Sequence, residues 1–101
     1  MNCTWSTYEF TVYDYATTEW NDVAGVYIFA SVAPQNQWRA LYIGQADSFK
    51  TRFSSHDRWP EAQRSGAKHV HCLSVPLAAN RDTIERQLVR QFQPPLNQHL
   101  K

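Results

Sequence analysis

Glu85 is the residue whose position most needs a chemical explanation. Residues 83–92 (TIERQLVRQF) carry a helical pattern, with Asn80 or Asp82 available as N-cap and Pro94-Pro95 to stop it. With Ile84 at 0° and about 100° per residue, Leu88 falls near about 40°, Phe92 about 80°, Glu85 about 100° and Val89 about 140°. The carboxylate therefore projects from within an apolar stripe, while Arg86, Gln87 and Arg90 take the opposite face. A carboxylate so placed is costly unless it is paired or bound to a metal ion, which makes Glu85 a site candidate. The competing reading is a capping box, Asp82-x-x-Glu85, in which the side chain folds back on the helix start. The helix alone does not choose between them.

Arg52 and His56 form a second pair. Residues 48–57 (SFKTRFSSHD) read as a helix with Ser48 as N-cap and Phe49 and Phe53 facing a sheet. On that helix Arg52 and His56 are i, i+4 and flank the Phe stripe, so both could reach over its edge into a common cleft; the plainer alternative is a solvated Arg and a solvated His. His69 and His71 are i, i+2 in residues 69–75 (HVHCLSV), a strand pattern, with no carboxylate or Cys close in sequence to complete a metal site. An exposed sheet face is expected there, ahead of a metal pair. Cys3 and Cys72 fit neither a disulfide framework nor zinc spacing, and are read as structural.

The elements that must position these side chains begin with residues 8–13 (YEFTVY), a plausible short strand. Residues 25–32 (GVYIFASV) and 39–44 (RALYIG) are two clearer strands joined by APQNQW, and they predict an antiparallel hairpin. Period-two alternation puts Tyr27 with Phe29 on one face, and Tyr42 with Gly44 on one face of the other strand. Whether the two tyrosines share a face depends on a register that the loop does not fix. Residues 59–66 read as a polar connection, and Trp5 and Trp20 as packing residues.

A chain of 101 residues with 43% hydrophobic and 14% aromatic content fits one compact domain, with a core at about 23–100 and an N-terminal extension, 1–22, that could add a strand. No apolar run approaches the ~20 residues of a membrane span, and the start lacks the pattern of a signal peptide, so a cytoplasmic protein with no membrane partner is expected. Net charge is only +1, but residues 1–38 hold four acids and no Lys or Arg, whereas residues 39–90 hold nine bases against five acids. The second part is the better candidate for a phosphate-facing surface.

Taken in order, Gly25-Val26-Tyr27, Tyr42-Ile43-Gly44, Arg52 with His56, Glu85 and Asn97 resemble the motif series of the GIY-YIG nuclease domain, found in homing endonucleases, some restriction enzymes and the incision subunit of bacterial nucleotide excision repair. The first tripeptide carries Val for Ile, another β-branched strand residue. The resemblance implies an α+β layered fold with a central three-stranded antiparallel sheet flanked by helices. It implies a metal-dependent endonuclease acting on DNA ahead of RNA, in repair or restriction, with a homodimer or a separate specificity protein as candidate partners. Glu85 would hold one divalent ion, Mg2+ or Mn2+. Tyr27 would act on the water as base or positioning group, with Tyr42 and His56 assisting. Arg52 would lower the tyrosine pKa and stabilise charge on phosphorus, and Asn97 would order the site. Gly44 would permit close approach, while Gln45, Lys50 and Arg39 are substrate-contact candidates. The alternative is a catalytically silent nucleic-acid-binding or adaptor module of the same fold.

Overall fold

The hairpin forms, and it is longer than its sequence pattern predicts. In the computed structural model, which describes residues 1–97, β3 (Gly25–Ala33) pairs antiparallel with β4 (Gln37–Ala46). A single 3-10 turn, Pro34–Asn36, reverses the chain, with Gln35 and Asn36 in the left-handed region at φ 67° and 59°. So tight a turn leaves Gln37 and Trp38 free to pair with Ala33 and Val32. The register opposes Tyr27 to Gly44 and Phe29 to Tyr42, so the two tyrosines share one face. It then shifts between Phe29 and Ala30, a bulge in the hairpin.

The expected three-stranded sheet is in fact five-stranded. We label the remaining strands β1 (Asn2–Trp5), β2 (Tyr8–Asp14) and β5 (His69–Ser74); the order is β1-β2-β5-β3-β4, antiparallel throughout. The N-terminal residues that carry no motif therefore supply two strands, and Phe10 of β2 is fully buried. The β1–β2 connection turns at Ser6, at φ 59°, without the Gly or Asn that announces such turns. Residues 98–100, the end of the expected 23–100 core, lie outside the described residues.

Each face of the sheet has its own core. On one, Tyr27, Phe29, Val70 and Cys72 meet Phe49, Phe53 and Ala62. On the other, Val26, Ile28, Ile43, Trp5 and Phe10 meet Leu88. Helix α1 (Phe49–Ser54) is too short to persist alone. Ser48 caps it by accepting from the Thr51 N–H, and burying Phe49 and Phe53 contributes about 1.5–3 kcal/mol each. It stops at Ser54, short of the expected 57: the Ser54 hydroxyl bonds the Thr51 carbonyl and Ser55 leaves the helical region. His56 is consequently not on the helix with Arg52.

Residues 59–66, read as a connection, contain a further helix, α2 (Trp59–Arg64), with Pro60 in its first turn. Trp59 stacks on Tyr15 at 3.7 Å between ring centroids, and that docking, together with buried Ala62, holds the helix down. Helix α3 (Ala78–Phe92) starts earlier than the capping signals suggest, directly after Leu77. Asn80 and Asp82 lie inside it and cap nothing. Among the described residues no helix is long and apolar enough to cross a membrane.

Candidate active site

Strand β4 lies at the edge of the sheet, and its unpaired side would leave backbone groups open. The segment after α3 closes part of it. Asn97 accepts from the Ile43 N–H at 2.9 Å through Oδ1 and donates to the Ile43 carbonyl at 2.8 Å through Nδ2, while the Leu96 N–H donates to the Leu41 carbonyl. Asn97 thus acts as a one-residue strand partner for the middle of Tyr42-Ile43-Gly44.

Tyr27 is 1% exposed, and its hydroxyl oxygen lies 2.6 Å from His56 Nε2. His56 Nδ1 accepts the Arg58 backbone N–H at 2.9 Å, so the proton of the neutral ring is on Nε2. Burial, and after it the Arg52 charge, lower the His56 pKa to about 4, so the ring is neutral near pH 7. His56 is accordingly a donor to Tyr27. The charge of the Arg52 guanidinium, which pairs with Asp57 at 3.0 Å, acts on Tyr27. The Tyr27 oxygen therefore accepts from His56, leaving the phenolic hydrogen for another partner.

Both tyrosines are held above the ordinary phenol pKa. For Tyr27 burial raises it, Tyr42 adds to the rise, and Arg52 opposes them without prevailing. Arg52 alone thus does not make Tyr27 a base. For Tyr42 burial again leads, opposed by Arg52 and reinforced by the Glu85 carboxylate. Glu85 also raises Tyr27, which ties its charge on α3 to the tyrosine cluster.

Gly44 makes the cluster sterically possible. A Cβ there would lie 2.5 Å from the Tyr27 hydroxyl oxygen and 3.0 Å from the Tyr42 ring. What approaches Gly44 closely is the protein's own tyrosine. Gly25 has a similar cause, since a Cβ would meet the Leu73 carbonyl at 2.1 Å and the Phe49 ring at 2.6 Å.

Glu85 is half-buried and makes no capping box, since α3 begins at Ala78. One carboxylate oxygen accepts from Gln45 Nε2 at 2.7 Å, and the same nitrogen donates to Asp82 Oδ1 at 2.6 Å. Both N–H groups of that amide are thereby committed, which leaves Gln45 only an acceptor and ill suited to a phosphate. Burial raises the Glu85 pKa; Gln45 opposes the shift and Asp82 adds to it. Among the described residues no group of three or more His, Cys, Asp or Glu gathers. One or two carboxylates with water and phosphate oxygens is the ligand supply a hard cation such as Mg2+ accepts, so Glu85 fits that ion and not a zinc cage.

Beside the cluster a cleft of about 490 Å3 is lined by Gln45, Ala46, Asp47, Ser48, Thr51 and Arg52. Lys50 is exposed on α1. Arg39 is elsewhere: it opposes Ser31 toward the turn end of the hairpin and lines a separate hollow with Trp5, Trp38 and Phe92. His69 and His71 take no part, and His71, expected on an exposed face, is fully buried because β1 brings Trp5 over it. Asp82 is legible in the sequence only as a cap, although its i−3 spacing from Glu85 puts both on one helical face. The Arg58 backbone N–H on His56 has no sequence signal.

No family model matches the chain. The chain is 32% identical over 85 residues to the UvrABC system protein C of Methanothermobacter thermautotrophicus; the match covers 79% of this chain and 14% of that relative, so the chain spans a small part of its length. Its fold is similar to the GIY-YIG N-terminal endonuclease domain of UvrC from Thermotoga maritima bound to its catalytic divalent cation, magnesium, with a TM-score of 0.60 and 21% identity over 75% of this chain and 84% of that one. A point mutant of the same domain, bound to its catalytic divalent cation, gives a TM-score of 0.58 at 21% identity, over 75% of this chain and 83% of the mutant.

Proposed function

From a fold similar to the GIY-YIG endonuclease domain of UvrC and 32% identity to a UvrABC system protein C, we propose that this chain is a GIY-YIG-type, divalent-metal-dependent endonuclease that nicks DNA. The observation that carries this is the Tyr27 hydroxyl, which receives His56 Nε2–H beside Tyr42 and lies within the fields of Arg52 and Glu85. The His56 donor and the Arg52 charge favour the phenolate, and burial opposes it, so Tyr27 keeps its proton until further positive charge arrives. Mg2+ or Mn2+ held by Glu85 would supply that charge and polarise the scissile phosphate, the chemistry that the ion attributed to the UvrC domain also offers.

In this reading Tyr27 would release its phenolic proton to solvent once the ion is bound, and the phenolate then orients and deprotonates the attacking water. The water oxygen then bonds phosphorus as the bond to the leaving sugar oxygen breaks. Arg52 stabilises the extra charge on the phosphate oxygens. His56 fixes the Tyr27 oxygen as a donor, and Tyr42 packs beside both. Lys50 contacts the phosphate backbone from α1. Asn97 keeps β4 in register beneath Tyr42 and Gly44.

Incubating purified protein with supercoiled plasmid and Mg2+ or Mn2+, beside an EDTA control, tests the proposal. Conversion to the nicked circle only with metal is expected. Nicking that survives EDTA, or none with any nucleic acid offered, counts against it.

A further inference from the structure

The Gln45 amide joins two carboxylates on neighbouring turns of α3. A single nitrogen stands 2.6 Å from Asp82 Oδ1 and 2.7 Å from Glu85 Oε1, and Gln45 itself is fixed by the pairing of β4 with Val26 of β3. The amide could in principle sit either way round. Turned over, it would set its carbonyl oxygen against two carboxylates, so Asp82 selects the orientation that gives Glu85 a hydrogen. The carboxylate is in turn held at one oxygen, Oε1, which leaves the other for a cation.

We infer that Asp82, Gln45 and Glu85 form a positioning relay, in which Asp82 orients the Gln45 amide and Gln45 orients Glu85 as a cation ligand. The inference rests on the reading of Glu85 as the metal-binding residue. Neither Asp82 nor Gln45 touches the cation; they act through Glu85. Hydrogen bonds of this kind to a ligating carboxylate typically govern affinity by about 10- to 100-fold. Because Gln45 lies on β4 and both carboxylates on α3, the relay also couples the helix that carries the ligand to the strand that carries Tyr42 and Gly44.

Mn2+ binding to the full chain, measured by calorimetry and by the loss of the free-ion paramagnetic resonance signal, tests the relay without any turnover. Gln45→Leu, which keeps the bulk and removes both donors, should weaken Mn2+ binding about 10- to 100-fold with the melting temperature little changed. Gln45→Asn, one methylene too short to reach both carboxylates, should weaken it as well and guards against a fold defect in the first variant. Asp82→Ala should weaken binding in the wild-type background and add nothing in the Gln45→Leu background. Glu85→Gln separates the two levels. If it abolishes binding while Gln45→Leu and Gln45→Asn bind as wild type, the relay is overturned and the ligand reading stands. If Glu85→Gln binds Mn2+ normally, both fall. A further loss on adding Asp82→Ala to Gln45→Leu would mean that Asp82 acts on the ion directly, which also overturns the relay.

Discussion

Two histidines, one on each face of the sheet, have nearly the same environment and different consequences. His56 and His71 are both buried, both accept a hydrogen bond at Nδ1, from the Arg58 N–H and from Trp5 Nε1, and both have a pKa lowered to about 4, first by burial. They differ in the other nitrogen. His56 Nε2 meets the Tyr27 hydroxyl, whereas His71 Nε2 has no hydrogen-bond partner among the described residues and sits beneath Trp5 and Trp38. A depressed pKa in a buried ring therefore does not mark a site. What marks it is where the committed Nε2 proton points.

The first way to sharpen that contrast is to remove what only the His56 region has near it, a half-buried carboxylate. Glu85→Gln should keep the fold and lose metal-dependent cleavage entirely, as followed on plasmid, while tryptophan fluorescence from the Trp5–His71 region stays as in wild type. Near wild-type cutting would remove Glu85 from the site. Next, His56→Leu should lower the cleavage rate by about 10²- to 10³-fold, the size of a lost donor at a charged transition state, whereas His71→Leu should leave the rate unchanged. Equal activities in the two variants would erase the distinction between the histidines.

Smaller effects concern stability. Gly44→Ala sets a methyl against Tyr27 and Tyr42 and should cost about 1–3 kcal/mol in chemical denaturation. His71→Leu strands the Trp5 indole N–H and should cost a similar amount, about 1–3 kcal/mol. Both histidines are neutral when folded and take up protons more readily when unfolded, so stability is fully present above pH 6.5 and declines as pH falls toward about 4. The melting temperature should follow that window. In His71→Leu the decline should be shallower, because one of the two groups is gone; an unaltered slope would show that His71 does not contribute to it.

Much of the architecture is legible in the amino-acid sequence. The hairpin follows from two β-rich runs around a Pro–Asn turn, and the Ser48 cap with the Phe49/Phe53 stripe announces α1. Local signals fail where tertiary contacts decide. Strand β1 turns on an unadvertised Ser6, α2 hangs on one tryptophan stack, and α3 begins without a side-chain cap. The site divides in the same manner. Glu85 stands out as a charge in an apolar stripe, and the motif order nominates Tyr27, Tyr42, Arg52, His56 and Asn97. The common face of the tyrosines needs a register that no turn residue encodes, and the partnership of Gln45 with Asp82 and Glu85 needs β4 and α3 to be packed together.

The most direct measurement is the single-turnover cleavage rate of Tyr27→Phe beside its melting curve. The change deletes one hydroxyl and keeps the ring in its core; the stranded His56 Nε2–H should cost about 1–3 kcal/mol. If Tyr27 orients and deprotonates the water, the rate should fall about 10²- to 10⁴-fold in a protein that remains folded at the assay temperature. A folded Tyr27→Phe that cleaves at the wild-type rate would contradict the account.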